Sequence, residues 1–171
     1  MINYIPSSAS DQLKSDIRKV SKIYYNRYSY LYDRFGEEGK EYTFADAVWL
    51  TSLLSQEKKI VVEQMEWLRS VLSNRGMPHI IIEDFFEIAL EQEFGKRFKP
   101  LNFIFKKWAA SRQKAISSEG FQKVETEICE IISQLPADKR KEYKTLLESA
   151  YADQLENVSD VYDKLKEWID S

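Results

Sequence analysis

The sequence predicts an all-α fold: one single-domain helical bundle of six to eight helices that spans residues 1–171. Five Gly and four Pro are fewer turn residues than a sheet protein of this length uses. Apolar residues recur at spacings of three and four along most of the chain, which is the period of an α-helix. The composition, 43% hydrophobic and 31% charged, is typical of a globular domain with its own core. A globin-like arrangement of the helices is the alternative to an antiparallel bundle.

The first helix is predicted from about Ser10 to Phe35, because a serine can cap its start and Gly36 is a natural stop. Its apolar face consists of Leu13, Ile17, Val20, Tyr24, Leu31 and Phe35. A second, aromatic stripe beside that face consists of Tyr25, Tyr28 and Tyr32. The helix is therefore expected to be apolar or aromatic over more than half of its circumference.

The second helix is predicted to begin at Thr43, where Asp46 completes a variant of the capping box. The apolar run over residues 44–54 covers most of the helix surface, so this helix is expected to be short, central and largely buried.

The third helix is predicted over about residues 56–74, and Gly76 followed by Pro78 predicts a sharp end. The fourth is predicted from Pro78 to about Phe94. Its three consecutive isoleucines, residues 80–82, would also suit a strand, but the acids at helical spacing favour a helix.

Proline and glycine positions divide the rest of the chain into at least three further helices. These are expected from Pro100 to about Gly120, from Phe121 to Leu135, and over Ala137–Ser171 as one long helix or two broken near Asn157.

Charge and composition exclude several classes of partner. The net charge of −3 gives no global attraction to nucleic acid or to an anionic membrane. No stretch approaches the roughly 18 apolar residues of a membrane span, and the start MINYIPSSASDQ does not resemble a signal peptide. A single cysteine cannot form an internal disulfide, so the expected compartment is the reducing cytoplasm.

The acidic pairs do not form a convincing metal site. Glu63 with Glu66, and Glu83 with Glu87, have the helical spacing seen in ferritin-like di-iron proteins. The chain has one histidine and no Glu-x-x-His, so these acids are read as a solvated face. One cysteine and one histidine also cannot complete a tetrahedral zinc site. No metal and no cofactor is predicted.

Nucleophilic catalysis has no support in the pattern. Cys129 lies between acids and apolar residues, surroundings that do not activate a thiol as a nucleophile, and it is expected to be a small buried apolar residue. No G-x-S-x-G, phosphate-binding or dinucleotide-binding glycine pattern is present. No catalytic residue is therefore predicted.

The aromatic residues suggest a ligand pocket. Five tyrosines, among them Tyr28 and Tyr30, crowd the first helix, and buried Tyr and Trp rings often line pockets or interfaces. The candidate ligand-binding residues are Tyr28, Trp49, Trp67 and His79. His79 follows RGMP at the start of an apolar helix and could be an axial haem or cobalt ligand. An aromatic-rich core and a helix-start histidine are the plainer alternatives.

The strongest local charge feature is a basic segment with seven cations and no acid between Lys96 and Ser118. The candidate partner-binding residues in it are Lys96, Arg97, Lys99, Lys106, Lys107, Arg112 and Lys114. Such a segment can bind nucleic acid or phosphate, or it can bind an acidic protein partner. The simplest alternative is that it pairs with the five acids of residues 83–93 on a neighbouring helix.

Part of the chain resembles a known group. The run FADAVWLTSLLSQEKKIVVEQMEWLRSVLSNRGMP, with Asp46, Trp67, Arg75, Gly76 and Pro78, resembles helical regions that precede cobalamin-binding domains in some bacterial sensor-like proteins. The turn LRSVLSNRGMP also resembles the globin-like phycobiliproteins, although no bilin-attaching cysteine is suitably placed. The resemblance implies a regulatory or sensory helical module.

Three functions follow as hypotheses. The first is a non-enzymatic sensory or regulatory module that acts through contacts with a protein partner or with a second copy. The second is a carrier or sensor of a small molecule or tetrapyrrole. The third is a ferritin-like or haem-oxygenase-like helical enzyme.

Overall fold

The computed structural model describes residues 5–154 and 157–170, with the side chain of Tyr30 outside that description. Within these residues there are eight α-helices and no strand, which confirms the all-α class and the expected number of helices. The helices are α1 Asp11–Arg27, α2 Ser29–Ser52, α3 Lys58–Asn74, α4 Ile80–Glu91, α5 Asn102–Ile116, α6 Glu119–Ser133, α7 Ala137–Ala152 and α8 Val158–Asp170. Short 3-10 helices cover Leu53–Ser55 and Glu93–Leu101.

The chain divides into two compact units, each made of two separate stretches of sequence. The first unit consists of Met1–Met65 with Ile82–Asn102, and the second consists of Glu66–Ile81 with Phe103–Ser171. The single domain expected from chain length stays a prediction. In the part of the chain that the structure describes, none of the helices combines the length and apolar character needed to cross a bilayer.

In the first unit, the predicted first helix is correct at its start but broken near its end. The Ser10 hydroxyl accepts a hydrogen bond from the Leu13 amide at 3.1 Å, as a helix cap should. The helix ends at Tyr28, whose φ of −116° and ψ of 64° are not helical, and α2 begins at the next residue. The Tyr28 phenol donates to Asp84, so a tertiary hydrogen bond holds this residue against the local periodicity.

A second break inside α2 was foreseen at Gly36, where φ is 60° and ψ is −156°. This region of backbone space is used almost only by glycine, which has no Cβ to clash. The predicted start at Thr43 is wrong, because the helix runs through that residue. The Thr43 hydroxyl donates to the Gly39 carbonyl at 3.1 Å, as a residue inside a helix does.

The core of the first unit is a chain of aromatic rings. Tyr24 contacts Phe85 edge-on with ring centroids 5.3 Å apart, and Phe85 contacts Phe86 at 5.5 Å. Phe86 contacts Phe98 of the second 3-10 helix at 5.6 Å. All four rings are buried, so α1, α4 and that 3-10 helix share one aromatic core.

In the second unit, the end of α3 follows the prediction. Gly76 has a φ of +80°, and its amide donates to the Ser73 carbonyl at 3.0 Å. The Met77 amide donates to the Leu72 carbonyl at 2.9 Å. These two bonds form the Schellman motif that glycine-terminated helices use to satisfy their last carbonyls.

Helices α6, α7 and α8 contact one another and form a core of the second unit. The break predicted near Asn157 is present, because α7 ends at Ala152 and α8 begins at Val158. The last predicted residue, Ser171, lies outside the described residues. The buried apolar side chains on these helices are Phe121, Ile128, Ile132, Leu146, Leu147, Ala150, Val158, Val161, Leu165 and Trp168.

Candidate functional site

A cavity of about 680 Å³ lies in the first unit, between α1 and α2. Its volume falls within the range of ordinary small-molecule sites. The residues that line it are Arg18, Ser21, Lys22, Tyr25, Asn26, Ser29, Tyr32, Asp33, Lys40 and Phe44. One side is open to solvent, because Lys22, Asn26 and Asp33 are exposed.

Helical spacing explains why these residues share a wall. Within α1 they lie at positions 18, 21, 22, 25 and 26, and at the start of α2 they lie at positions 29, 32 and 33, so each group repeats after three or four residues on its own helix. Such spacing places side chains on one face of a helix. After the turn at Gly36, Lys40 and Phe44 are four apart and line the cavity from the second part of α2.

Charged and aromatic contacts hold four of the cavity-lining side chains in place. The Arg18 guanidinium lies 3.9 Å from the centre of the Phe44 ring, and its Nη1 is 2.9 Å from Oε1 of Glu41. Lys40 is 3.5 Å from Glu37 and 5.7 Å from the Tyr32 ring centre. Both cations are therefore already paired with an acid.

Tyr25 is held by a short hydrogen-bond chain. Its hydroxyl is 2.8 Å from Oγ1 of Thr43. The Thr43 hydroxyl donates its proton to the Gly39 carbonyl, so the Tyr25 hydroxyl is the donor in its bond with Thr43. The lone pairs of the Tyr25 oxygen can still accept a hydrogen bond. Burial raises the pKa of Tyr25 above its ordinary value, the bond to Thr43 opposes the rise, and the Glu37 carboxylate adds to it.

Ser21 is the unusual member of the cavity wall. The residue is 3% exposed, and its hydroxyl oxygen has no hydrogen-bond partner among the described residues. A buried hydroxyl without a partner costs roughly 1–3 kcal/mol. A molecule in the cavity that supplied a partner would remove this cost.

Two of the four predicted ligand-binding residues belong to the first unit, but neither lines the cavity. Tyr28 is buried, its hydroxyl donates to Asp84, and Arg27 lies 4.0 Å from the same carboxylate. Trp49 is half-buried on α2. A ligand role for these two rings stays a prediction.

The other two predicted ligand-binding residues belong to the second unit. Trp67 is 56% exposed, so this ring does not belong to an aromatic core, and its ligand role stays a prediction. It falls on the side of α3 away from the stripe that contains buried Met65, because the helix has apolar residues on more than one face.

His79 is buried and engaged on one side. Its amide donates to Oδ2 of Asp153 at 2.7 Å, and its Nε2 contacts Oδ1 of the same carboxylate. The ring also meets Trp108 edge-on at 5.3 Å. Nδ1 has no hydrogen-bond partner among the described residues. An axial metal on Nε2 would have to displace Asp153.

Trp108 connects this histidine to a second carboxylate. Its Nε1–H donates to Oε1 of Glu66 at 3.0 Å. Arg69 and Lys107 lie 3.4 and 3.7 Å from that carboxylate. Glu66, predicted as part of a solvated acidic face, is therefore a half-buried anchor that orients the Trp108 indole.

The basic segment is divided between the two units. Lys96, Arg97 and Lys99 belong to the first, where Arg97 lies 3.3 Å from the buried carboxylate of Asp16 on α1. The remaining four cations lie on α5 in the second unit, and they are Lys106, Lys107, Arg112 and Lys114.

Arg97 and Lys107 thus each pair with an acid of their own unit. The acids beside Arg97 and Lys107 are Asp16 and Glu66, not those of residues 83–93. Lys96, Lys99, Lys106 and Lys114 are exposed. A partner-binding role for the segment stays a prediction.

Cys129 is exposed on α6, so the expectation that it is buried is wrong. The neighbouring Ile128 takes the buried position instead, because consecutive residues of a helix point about 100° apart. Over residues 5–154 and 157–170, no three His, Cys, Asp or Glu side chains gather closely enough to hold a metal ion.

No protein-family model, curated protein or solved structure matches this chain. The resemblance to regions before cobalamin-binding domains and to phycobiliproteins accordingly stays a prediction.

The cavity residues were mostly missed from the sequence, although a signal was present. Tyr25 and Tyr32 stand in the predicted aromatic stripe. A polar row, Lys22, Asn26, Ser29 and Asp33, runs beside it at intervals of three and four. Polar and aromatic rows side by side on one helix indicate a wall that is neither core nor plain surface.

Proposed function

We propose that this protein is a non-enzymatic regulatory module that binds a small molecule in the cavity of its first unit. The buried, unpartnered hydroxyl of Ser21 in the wall of a 680 Å³ cavity is the observation that carries the proposal. Ligand sites combine a concave, partly apolar wall with a few polar groups that still need partners.

Native mass spectrometry of the protein purified from its own host tests this proposal. The wild-type chain is expected to retain a small molecule, and Asn26→Trp, which places a bulky ring in the cavity, is expected to lose it. Ser15→Trp is the matched control, because Ser15 is an exposed α1 residue outside the cavity. A wild-type chain without a retained mass, or equal retention by Asn26→Trp, contradicts the proposal.

A second candidate function is self-association through α3. The observation that favours it is Trp67, a large apolar side chain that is 56% exposed, since tryptophan is enriched at the centres of interfaces. Sedimentation equilibrium of wild type and Trp67→Ser tests this candidate. A dimer that weakens in the variant supports it, and a strict monomer at all concentrations contradicts it.

A further inference from the structure

We propose that the cavity ligand is an aromatic carboxylate whose acid group lies at the Lys22 end and whose ring lies against Tyr25 and Tyr32. This inference rests on the proposed function. It names the chemical class of the ligand and the orientation in which it binds.

The balance of charges at the cavity favours an anion. The lining includes three cations, Arg18, Lys22 and Lys40, and one acid. Arg18 pairs with Glu41, and Lys40 pairs with Glu37. For Lys22 the structure describes no acidic partner within residues 5–154 and 157–170, so its ammonium is available to a ligand carboxylate.

Neutral donors stand next to that ammonium. Asn26 is four residues after Lys22 on the same face of α1, and Ser21 directly precedes it. An amide N–H and a hydroxyl donate to carboxylate oxygens, and the Ser21 hydroxyl has no partner of its own. Three donors of different types therefore belong to one short stretch of the cavity lining, residues 21–26.

The opposite end of this row fixes the orientation. Asp33 lies eleven residues after Lys22 (33 − 22), on α2 beyond the break at Tyr28, whereas Lys22 lies on α1. Its carboxylate would repel an acid group placed there. The ligand carboxylate accordingly belongs at the Lys22 end.

The ring of the ligand is assigned to the tyrosines. Tyr32 is 42% exposed and lines the cavity, so part of its ring is accessible to a planar partner although the Lys40 ammonium lies 5.7 Å from the ring centre. Tyr25, seven residues earlier, lies on the same side of the helices. Phe44 is less suited, because the Arg18 guanidinium already covers its ring at 3.9 Å.

The test is a titration of the full chain with 2-naphthoate and with its uncharged counterpart 2-naphthamide, followed by amide NMR shifts. Shifts are expected within residues 18–33 and 40–44, with 2-naphthoate binding more tightly than the amide. Lys22→Gln is expected to weaken 2-naphthoate binding about threefold to fivefold, the upper range for a partly exposed ion pair, and to leave 2-naphthamide unchanged.

Lys14→Gln is the matched control, because Lys14 lies on α1 outside the cavity and pairs with Asp11. Equal affinities for both probes, or no loss of 2-naphthoate affinity in Lys22→Gln, overturn the assignment of an anion while the proposed function stands. Absence of shifts with either probe, or shifts outside the cavity, overturns the aromatic ligand class. The proposed function is tested separately, by native mass spectrometry of the wild-type chain and of Asn26→Trp.

Discussion

Ser21 is buried on α1, and removing its hydroxyl is expected to stabilise the ligand-free protein. Without a ligand, Ser21→Ala deletes a polar atom that has no partner among the described residues, and alanine is the better helix former. We expect the free energy of unfolding of the free protein to rise by up to about 1 kcal/mol, measured by urea denaturation.

Thr51→Val is the control for that variant. The Thr51 hydroxyl is also buried on a helix, but it donates to the Ala47 carbonyl at 2.7 Å, so its removal should stabilise nothing. A loss of stability in Ser21→Ala as large as in Thr51→Val would show that the Ser21 hydroxyl is satisfied.

The Tyr25 phenol gives the protein a dependence on alkaline pH. Because its pKa is raised in the folded protein, the folded state holds this proton more tightly than the unfolded chain does. The stability from this group is complete below its ordinary pKa of 10.0 and is lost as pH rises through the folded value.

We expect Tyr25→Phe to be less stable than wild type at pH 8, because the Thr43 oxygen loses its donor, and to lose less stability between pH 8 and pH 11. Denaturant unfolding at several pH values measures both quantities. Tyr32→Phe is the control, since Tyr32 is exposed. Parallel pH profiles for wild type and Tyr25→Phe would refute the prediction.

Among the helices, the break at Gly36 is the feature that places Lys40 and Phe44 in the cavity. A Cβ added there would meet no atom within 4 Å, so the cost of Gly36→Ala comes from the backbone angles alone. We expect a loss of about 1–3 kcal/mol in unfolding free energy, measured by thermal or chemical denaturation.

Gly120→Ala is the comparison for Gly36→Ala. Gly120 lies in the first turn of α6, where an added Cβ has ordinary contacts, so this variant should be neutral or slightly stabilising. Equal effects of the two substitutions would mean that the angles at Gly36 do not matter for stability.

Asp153 joins the end of α7 to the start of α4 through the amide and ring of His79. Asp153→Ala leaves a buried donor and a buried imidazole without this carboxylate, and we expect a loss of about 2–4 kcal/mol. A double-mutant cycle with His79→Ala should show a coupling above about 1 kcal/mol.

Ser118→Ala provides the scale for that measurement. Ser118 caps α6 at an exposed site, where the loss should be about 1 kcal/mol. If Asp153→Ala costs no more than this, the carboxylate is an ordinary cap and its contact with the His79 ring adds nothing.

Apolar periodicity predicted the helices. Capping residues and glycines predicted several of their ends, because these residues act locally. Ser10, Gly36 and Gly76 each have the role that their chemistry predicts. The break at Tyr28 was not predictable in this way, since no glycine, proline or cap marks it and the partner of the Tyr28 phenol, Asp84, is 56 residues away. Thr43 was misread as a cap because a threonine inside a helix and a threonine at its start look alike in a sequence.

At the scale of the whole molecule, the aromatic-rich composition predicted aromatic cores. Composition does not say which of the rings are buried. Trp108 is fully buried and Trp67 is 56% exposed, although both belong to amphipathic helices. The cavity was out of reach for a related reason: it requires two stretches to meet across the turn at Gly36. Only its tyrosine stripe was visible in advance.

The two tryptophans supply a direct test. Trp108→Ala should lower the unfolding free energy by about 3–5 kcal/mol, because a large buried side chain leaves a cavity. Trp67→Ala should change it by less than about 1 kcal/mol in the monomer. Urea denaturation of both variants measures the difference, and similar losses would place Trp67 in a core.

The contact of His79 with Asp153 spans 74 positions of the chain, and this separation sets an order of events during synthesis. A ribosome adds about 5–20 residues per second, so some 4–15 s pass between the two residues. Residues 82–102 are made early in that interval, so the first unit can close around its aromatic rings while the second still waits for its remaining helices. During this delay the Asp153 carboxylate is not yet available to the His79 amide and ring.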